Sequence, residues 1–274
     1  MIRLMVDSAA DCGNSAYDYF VPLTVCIAGK EYRDSVDLSA NQFYALLTEG
    51  RELPKTSQPS PENFFEIFRR VKKQGDSLIY FSLSSALSGT YQSARIARQM
   101  VDYEKIYIVD SCAVSHLIGI LADYARKLIR QGGDAEQIVE ACQTLKGRLR
   151  VMAGVDTLEY LYRGGRLSKA SAAVGELTGV KPVIALTKEG KVQACAKTIG
   201  VPRAIKLIQE RLVKGGVDLE FPVYTLYTSG TDHVEKLEAK LAAAGIPVTG
   251  RRQVGPTIGA HVGPNVYGVL YVEK

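Results

Sequence analysis

The sequence is poor in the residues and patterns that mark disulfide, metal and nucleotide sites. Its 274 residues include five cysteines, and no two of them form a CxxC pair. An odd number of scattered cysteines fits neither a disulfide framework nor a zinc site, and it agrees with a reducing compartment. The Walker A, GxGxxG and HExxH patterns are also missing, which removes support for P-loop, dinucleotide-binding and zinc-protease functions. We therefore expect no metal and no cofactor.

Long apolar runs and a strong excess of one charge are missing as well. No stretch approaches ~18 consecutive apolar residues, and residues 1–3 lead directly into a strand-like run without a signal-peptide core. These features predict a cytoplasmic protein with no transmembrane segment. Lysine and arginine number 34 against 29 acidic residues, for a net charge of +5. Because the basic residues are spread along the chain, we expect no nucleic-acid partner.

The chain instead alternates apolar strands with amphipathic helices, which predicts an α/β fold. One clear example begins at Ser60-Pro61, an N-cap followed by proline at the first helical position. Phe64, Ile67 and Phe68 then share one face of that helix. The alternation of strands and helices becomes less regular after Arg150, which suggests two α/β domains, residues 1–150 and residues 151–274.

Two hydroxyl-rich turns, Lys55–Ser60 and Ser84–Thr90, each connect a strand to a helix. Free hydroxyls beside the unpaired N–H groups of a helix start form a natural anion site. The turns are neutral apart from Lys55, whereas polyphosphate sites normally bring a dedicated cation. A carboxylate therefore fits them better than a triphosphate. The alternative, which the sequence leaves open, is that the hydroxyls only cap helices, as we expect for Ser60.

Two glycine-containing loops are the remaining candidates. Residues 255–265 place His261 on a tight loop, where a purely structural histidine is the alternative. The tip Tyr162–Arg166 carries Arg163 and Arg166, which we expect to project into solvent. This tip is either a helix end with favourable cations or a docking loop for an acidic partner.

Two strand ends carry an Asp-Ser pair, Asp7-Ser8 and Asp110-Ser111. Aspartate commonly accepts a hydrogen bond from the backbone two residues later, so we interpret both pairs as Asx turns. A metal or acid–base role is the less favoured alternative.

Taken together and in this order, the motifs resemble the DegV family, the fatty-acid-binding (FakB-type) subunits of bacterial fatty acid kinase. They are Asp7-Ser8-Ala9-Ala10-Asp11, Lys55-Thr56-Ser57-Gln58-Pro59-Ser60, Leu83-Ser84-Ser85-Ala86-Leu87-Ser88-Gly89-Thr90-Tyr91, Val109-Asp110-Ser111, Tyr162-Arg163-Gly164-Gly165-Arg166-Leu167-Ser168 and His261-Val262-Gly263-Pro264. The resemblance covers essentially the whole chain. It implies a two-domain α/β fold with a long-chain fatty acid between the domains.

The resemblance also implies roles for individual residues. The fatty acid carboxylate would be held by Thr56 and Ser88, with Ser85 as the alternate serine and His261 nearby. The protein would present the acyl group to a separate, ATP-dependent kinase catalytic subunit, which makes an acyl phosphate. Arg163 and Arg166 would lie towards that partner. On this interpretation the protein has no catalysis of its own.

A serine-dependent hydrolase is the competing function. It would use Ser88 or Ser85 as nucleophile and His261 as base, because a serine nucleophile needs a base nearby. The GxSxG pattern is absent, however, and no third catalytic residue is evident.

Overall fold

The computed structural model describes residues 1–50, 52–168 and 179–274, and it is built on three sheets. The first sheet has four parallel strands in the order β2-β1-β6-β7. Their bounds are β1 Ile2–Asp7, β2 Tyr19–Val21, β6 Ser77–Ser82 and β7 Ile106–Asp110. Because parallel strands end at the same edge of a sheet, the turns that follow β1, β6 and β7 lie side by side.

The second sheet has six strands in the order β10-β9-β8-β13-β11-β12 and is antiparallel except for the β11–β12 pair. The bounds are β8 Leu149–Gly154, β9 Val180–Leu186, β10 Val192–Ile199, β11 Tyr224–Tyr227, β12 Gly250–Gln253 and β13 Tyr267–Val272. A tight turn joins β9 to β10, in which the Gly190 N–H donates to the Thr187 carbonyl at 3.0 Å.

A small antiparallel sheet of three strands, in the order β4-β3-β5, accompanies the two large ones. Its strands are β3 Thr24–Ile27, β4 Lys30–Arg33 and β5 Lys55–Ser57. The first hydroxyl-rich turn is therefore partly a strand, and Thr56 lies opposite Val25 in the ladder. Strand pairing gives Thr56 a defined direction that a free turn would not.

The helices of the described residues cover the sheets, and a short 3₁₀ helix spans Ser8–Ala10. Their bounds are α1 Ala40–Glu49, α2 Pro61–Gln74, α3 Thr90–Val101, α4 His116–Arg130, α5 Ala135–Lys146, α6 Glu159–Arg163, α7 Val201–Gly215, α8 Asp232–Ala243 and α9 Pro256–Val262. Helix α2 begins at Pro61, as predicted, and buries Phe64, Phe68 and Val71. No described helix is both long enough and apolar enough to cross a membrane.

The largest buried cluster joins the two halves of the chain. It contains Leu4 and Phe81 from the first sheet together with Ala153 and Leu270 from the second. The α/β architecture predicted from the sequence is confirmed. The predicted domain boundary between residues 150 and 151 falls inside β8, and the division into two domains remains a prediction.

Candidate functional site

The two hydroxyl-rich turns pack directly against each other. Gln58, two residues after Thr56, donates from Nε2 to the Ser93 hydroxyl at 2.9 Å. The same amide fills the space where a side chain at position 89 would lie, so Gly89 allows the contact. This packing brings β5 and the start of α3 to one place, which sequence spacing alone could not establish.

His261 joins this place from the far end of the chain. Its Nε2 lies 2.8 Å from the Thr56 hydroxyl, although 205 residues separate the two. The structure corrects the predicted tight loop at residues 255–265. Helix α9 begins at Pro256, whose fixed φ suits the first helical position, and it places His261 in its last turn. The structure therefore brings together two of the predicted site residues.

The His261 ring is held in its neutral form. Burial, with a smaller contribution from the charge of Arg166, lowers the pKa of the imidazole to about 4. Nδ1 is buried without a hydrogen-bond partner among the described residues. Gly164 packs against that nitrogen so closely that a side chain there would clash with it. Gly164 of the segment Tyr162–Arg166, which we call the arginine loop, thus packs against the ring.

Ser88 lines the same cavity as Thr56 and His261. Its Oγ lies 2.8 Å from the Thr90 hydroxyl and also accepts the Thr90 N–H at 3.3 Å. Ser88 therefore stabilises the start of α3, as the capping alternative predicts, while it faces the cavity.

The other serines of the turn point elsewhere. Ser85 is exposed and donates from Oγ to the Asp110 carboxylate at 2.5 Å. Ser84 is buried and donates to the Gly190 carbonyl at 3.0 Å. Neither lines the cavity, so the structure does not bring the alternate Ser85 to the site. Its position after β6 directs it to the neighbouring strand end instead.

The two arginines of the loop differ from each other, which corrects the expectation that both project into solvent. Arg163 is exposed, with 62% of its side chain accessible, and pairs with Glu159 at 2.7 Å. Arg166 is half-buried and lines the cavity. Its Nε donates to the Leu87 carbonyl at 3.0 Å and a terminal nitrogen donates to the Gly164 carbonyl at 2.5 Å. The nearby carbonyls hold the guanidinium inward, and burial lowers the pKa of Arg166.

The cavity itself is almost entirely apolar. Its walls come from the six-stranded sheet, from Thr56 of the small sheet and from segments that follow strands of the first sheet, such as Leu83. The space between its lining atoms amounts to about 830 Å³, part of it open to solvent. Aliphatic side chains from both halves of the chain form the walls, among them Leu23, Leu83, Val151, Ile184, Leu226 and Val266. Apolar walls with a few convergent polar groups are typical of small-molecule sites.

Sequence reasoning missed two polar residues of the lining, Thr257 and Ser115. Thr257 lies one turn before His261 and donates to the buried Asp34 carboxylate at 2.5 Å. Ser115 donates to Asp11 at 2.5 Å. Burial raises the pKa of Asp34 and of Asp11. Thr257 lies within residues 255–265, the segment that the sequence analysis singled out for His261, so its presence there was a usable signal. Nothing in the sequence singles out Ser115.

The Asp-Ser strand ends behave as predicted. Asp7 accepts the Ala9 N–H at 3.1 Å, and Asp110 accepts the Cys112 N–H at 3.1 Å, so both are Asx turns. Within residues 1–50, 52–168 and 179–274 no group of histidine, cysteine or acidic side chains could hold a metal ion.

Comparisons with known proteins agree with this architecture. The family model described as an uncharacterised protein of the DegV family matches residues 1–274. A DegV domain-containing protein of Caldanaerobacter subterraneus is 37% identical over 280 residues, covering 100% of this chain and 99% of the relative.

Solved structures extend the likeness to three dimensions. A fatty-acid-binding DegV family protein from Thermus thermophilus superposes with a TM-score of 0.89 at 31% identity, covering 100% of this chain and 99% of that one. A stearic acid-binding protein from Eubacterium ventriosum superposes with a TM-score of 0.87 at 26% identity, with the same coverage of both chains. Both the sequence match and the fold lead to one conclusion: this chain belongs to the DegV family.

Proposed function

We propose that the protein binds a long-chain fatty acid in the cavity, with the carboxylate at Thr56 and Ser88, and presents it to a separate ATP-dependent kinase subunit. The observation that carries the proposal is an apolar cavity whose polar groups include Thr56, Ser88, His261 and Arg166. An elongated apolar molecule with one anionic end has the matching chemistry. The structural relatives described as fatty-acid-binding and stearic acid-binding proteins support the same ligand class.

The apolar walls provide most of the affinity. Each buried methylene contributes ~0.8 kcal/mol, so a chain of about fourteen methylenes contributes on the order of 11 kcal/mol. A hydrogen bond to a charged group contributes ~1.5–3 kcal/mol. The hydroxyls therefore determine which end of the fatty acid lies at the turns, and its acyl chain determines how tightly it binds.

The neutral histidine prepares Thr56 to donate to the ligand. With the proton on Nε2, His261 donates to the Thr56 oxygen, and the threonine hydroxyl keeps its own hydrogen free for a carboxylate. The Arg166 guanidinium in the same lining offsets the negative charge of the ligand. Neutral donors beside one partly buried cation fit a single carboxylate.

The hydrolase alternative finds no support in this geometry. Among the described residues, the Ser88 hydroxyl interacts with Thr90 and the Ser85 hydroxyl with Asp110. The histidine nitrogen that a nucleophile would need lies against Thr56 instead. A serine nucleophile requires a hydrogen bond to its base, so a binding and presenting role fits better.

The exposed arginine loop is our candidate for the surface that binds the kinase subunit. In such a reaction a carboxylate oxygen attacks the γ-phosphorus of ATP, and ADP leaves with its bridging oxygen. The cavity opens to solvent, and Arg163 projects from the loop that packs on His261. We place the kinase subunit at this loop, where Arg163 offers a charge to an acidic surface.

Native mass spectrometry of the purified protein tests ligand binding directly. We expect a bound mass equal to that of a long-chain fatty acid, or stoichiometric uptake of added palmitate or oleate. A ligand-free protein that takes up neither acid would contradict the proposal.

A further inference from the structure

A positively charged groove lies on the face of the six-stranded sheet that helix α7 covers. We call it the outer groove, and it is lined by residues of β8, β9, β10 and β13, by the β9–β10 turn and by the end of α7. Two acids, Glu189 and Glu273, line it. Its four cations are Arg150, Lys188, Arg211 and Lys214. The lining therefore keeps a surplus of two positive charges.

Three of these cations are not neutralised by carboxylates of the described residues. Arg150 pairs with Glu273 at 2.6 Å, whereas Lys188, Arg211 and Lys214 form no ion pair within the described ranges. Arg211 and Lys214 are exposed and three positions apart, so they are neighbours on the surface of α7. Cations near the end of a helix stabilise it by themselves. Their charge alone therefore does not identify a ligand.

A buried tyrosine supplies the second observation. Tyr271 is only 3% exposed and packs with Leu212 of α7 in one apolar cluster. Within the described residues its hydroxyl forms no hydrogen bond, and the oxygen is not fully enclosed. Buried tyrosine hydroxyls usually have a hydrogen-bond partner. Because Tyr271 lines the outer groove, its hydroxyl is available to a molecule bound there.

The charges around the Tyr271 hydroxyl favour an anionic partner. Tyr271 lies directly opposite Arg150 in the β13–β8 ladder, so the two side chains share one face of the sheet. Burial, with a smaller contribution from the charge of Glu273, raises the pKa of Tyr271 to about 12, although Arg150 and Arg211 oppose this shift. The hydroxyl therefore keeps its proton at neutral pH and can donate it in a hydrogen bond.

We propose that the outer groove binds a phosphate group, with the Tyr271 hydroxyl, the Arg211 guanidinium and the Lys214 ammonium as its donors. None of these residues lines the fatty acid cavity, and the inference does not rest on the proposed function. A phosphate monoester carries ~1.5–2 negative charges at pH 7 and three strong acceptor oxygens, which match the charge surplus and the donors. Met152 and Ala185 add apolar surface for an organic phosphate.

Isothermal titration with inorganic phosphate and with phenyl phosphate, at constant ionic strength, tests the site. We expect one saturable site per chain. Tyr271→Phe removes only the hydroxyl and should weaken binding about tenfold or more, because a hydrogen bond to a charged group is lost. Arg211→Glu should weaken binding at least about tenfold, because it places a negative charge beside the anion. Arg203→Glu, exposed on the same helix but outside the groove, is the matched control and should leave the affinity unchanged.

Thermal unfolding and palmitate binding separate a local effect from a loss of the fold. Phenylalanine keeps the ring of Tyr271, and the lost hydroxyl has no partner among the described residues. Tyr271→Phe should therefore unfold at the wild-type temperature. Palmitate should bind both groove variants as it binds wild type, because neither residue lines the fatty acid cavity. Unfolding remains a valid check even if wild type does not bind palmitate.

The two probes also distinguish the source of the phosphate. Tighter binding of phenyl phosphate would indicate an organic phosphate, whereas equal or weaker binding would indicate the free ion, and both results support the site. No saturable binding of either probe would overturn the proposal. Equal affinity of wild type and Tyr271→Phe would overturn it as well, because the phosphate would then lie elsewhere. So would equal weakening by Arg203→Glu and Arg211→Glu, which would mean that only the general surface charge attracts the anion.

Discussion

At the scale of single residues, the site combines neutral hydroxyls with one half-buried imidazole. Thr56, Ser88 and His261 were predicted from the sequence and line one cavity. Ser85 was the plausible alternate because it belongs to the same turn, but its hydroxyl bonds to Asp110. The difference between Ser85 and Ser88 is one of direction within a turn. Residue types cannot reveal it.

Removing the Thr56 hydroxyl should weaken fatty acid binding selectively. Thr56→Val keeps the shape but removes a donor, which costs ~1.5–3 kcal/mol for a charged partner and lowers affinity roughly 10- to 100-fold. Fluorescent fatty acid displacement measures the loss. Thr56→Ser should restore most of the affinity, and Ser85→Ala, which lies outside the cavity, should not change it. Equal affinity of Thr56→Val and wild type would contradict the site.

His261 should make stability depend on pH. Its pKa is lowered from 6.5 to about 4 in the folded protein, so the unfolded chain takes up the proton first. The free energy of unfolding is therefore not reduced by His261 above pH 6.5, and it decreases as the pH falls from 6.5 towards 4. Between pH 7 and 5 the loss is about 2 kcal/mol.

Urea unfolding at both pH values measures this effect. His261→Gln should show a smaller pH dependence than wild type. The comparison must be between these two proteins, because burial also lowers the pKa of His116 to about 4 and raises that of Asp7 to about 6. The same pH dependence in His261→Gln would refute the assignment.

At the scale of elements, the site depends on contacts between segments far apart in the chain. Thr257 connects α9 to the small sheet through Asp34, and Ser84 connects the second turn to the β9–β10 hairpin. The amphipathic pattern predicted α2 correctly because that helix packs through a regular apolar stripe. The contacts between elements depend on single polar atoms, which leave no periodic signal.

Gly190→Ala should destabilise the protein by more than the cost of placing alanine at a positive φ. Both Gly190 and Gly245 have a positive φ, which costs an alanine ~1–2 kcal/mol. At Gly190 a methyl group also meets the Cys112 backbone, whereas nothing lies within 4 Å at Gly245. Thermal unfolding should therefore show a larger loss for Gly190→Ala than for Gly245→Ala. Equal losses would mean that the hairpin turn is not tightly packed.

At the scale of the whole molecule, the proposed function assigns ligand binding to the cavity and partner binding to the surface. In that proposed function, ligand affinity comes from buried methylenes, while presentation depends on an exposed loop beside the cavity. Arg163 is the residue on which the two roles can be separated, because it is exposed and lies outside the lining.

Arg163→Glu should impair acyl phosphate formation without impairing fatty acid binding. Charge reversal repels an acidic partner surface, so we expect the rate with the kinase subunit to fall at least about tenfold. Fatty acid affinity should stay at the wild-type value. Arg69→Glu is the matched control, because Arg69 is similarly exposed and pairs with Glu66 on its own helix. A normal rate for Arg163→Glu would place the partner elsewhere.

The sequence by itself determined the α/β class and the two hydroxyl-rich segments, because periodicity and turn chemistry are local properties of the chain. Only the tertiary structure decided which hydroxyls face the cavity and that Arg166 lies inward. Those features depend on the direction of individual side chains and on contacts between distant residues, such as Thr56 with His261 and Arg166 with Leu87, and no local pattern encodes them.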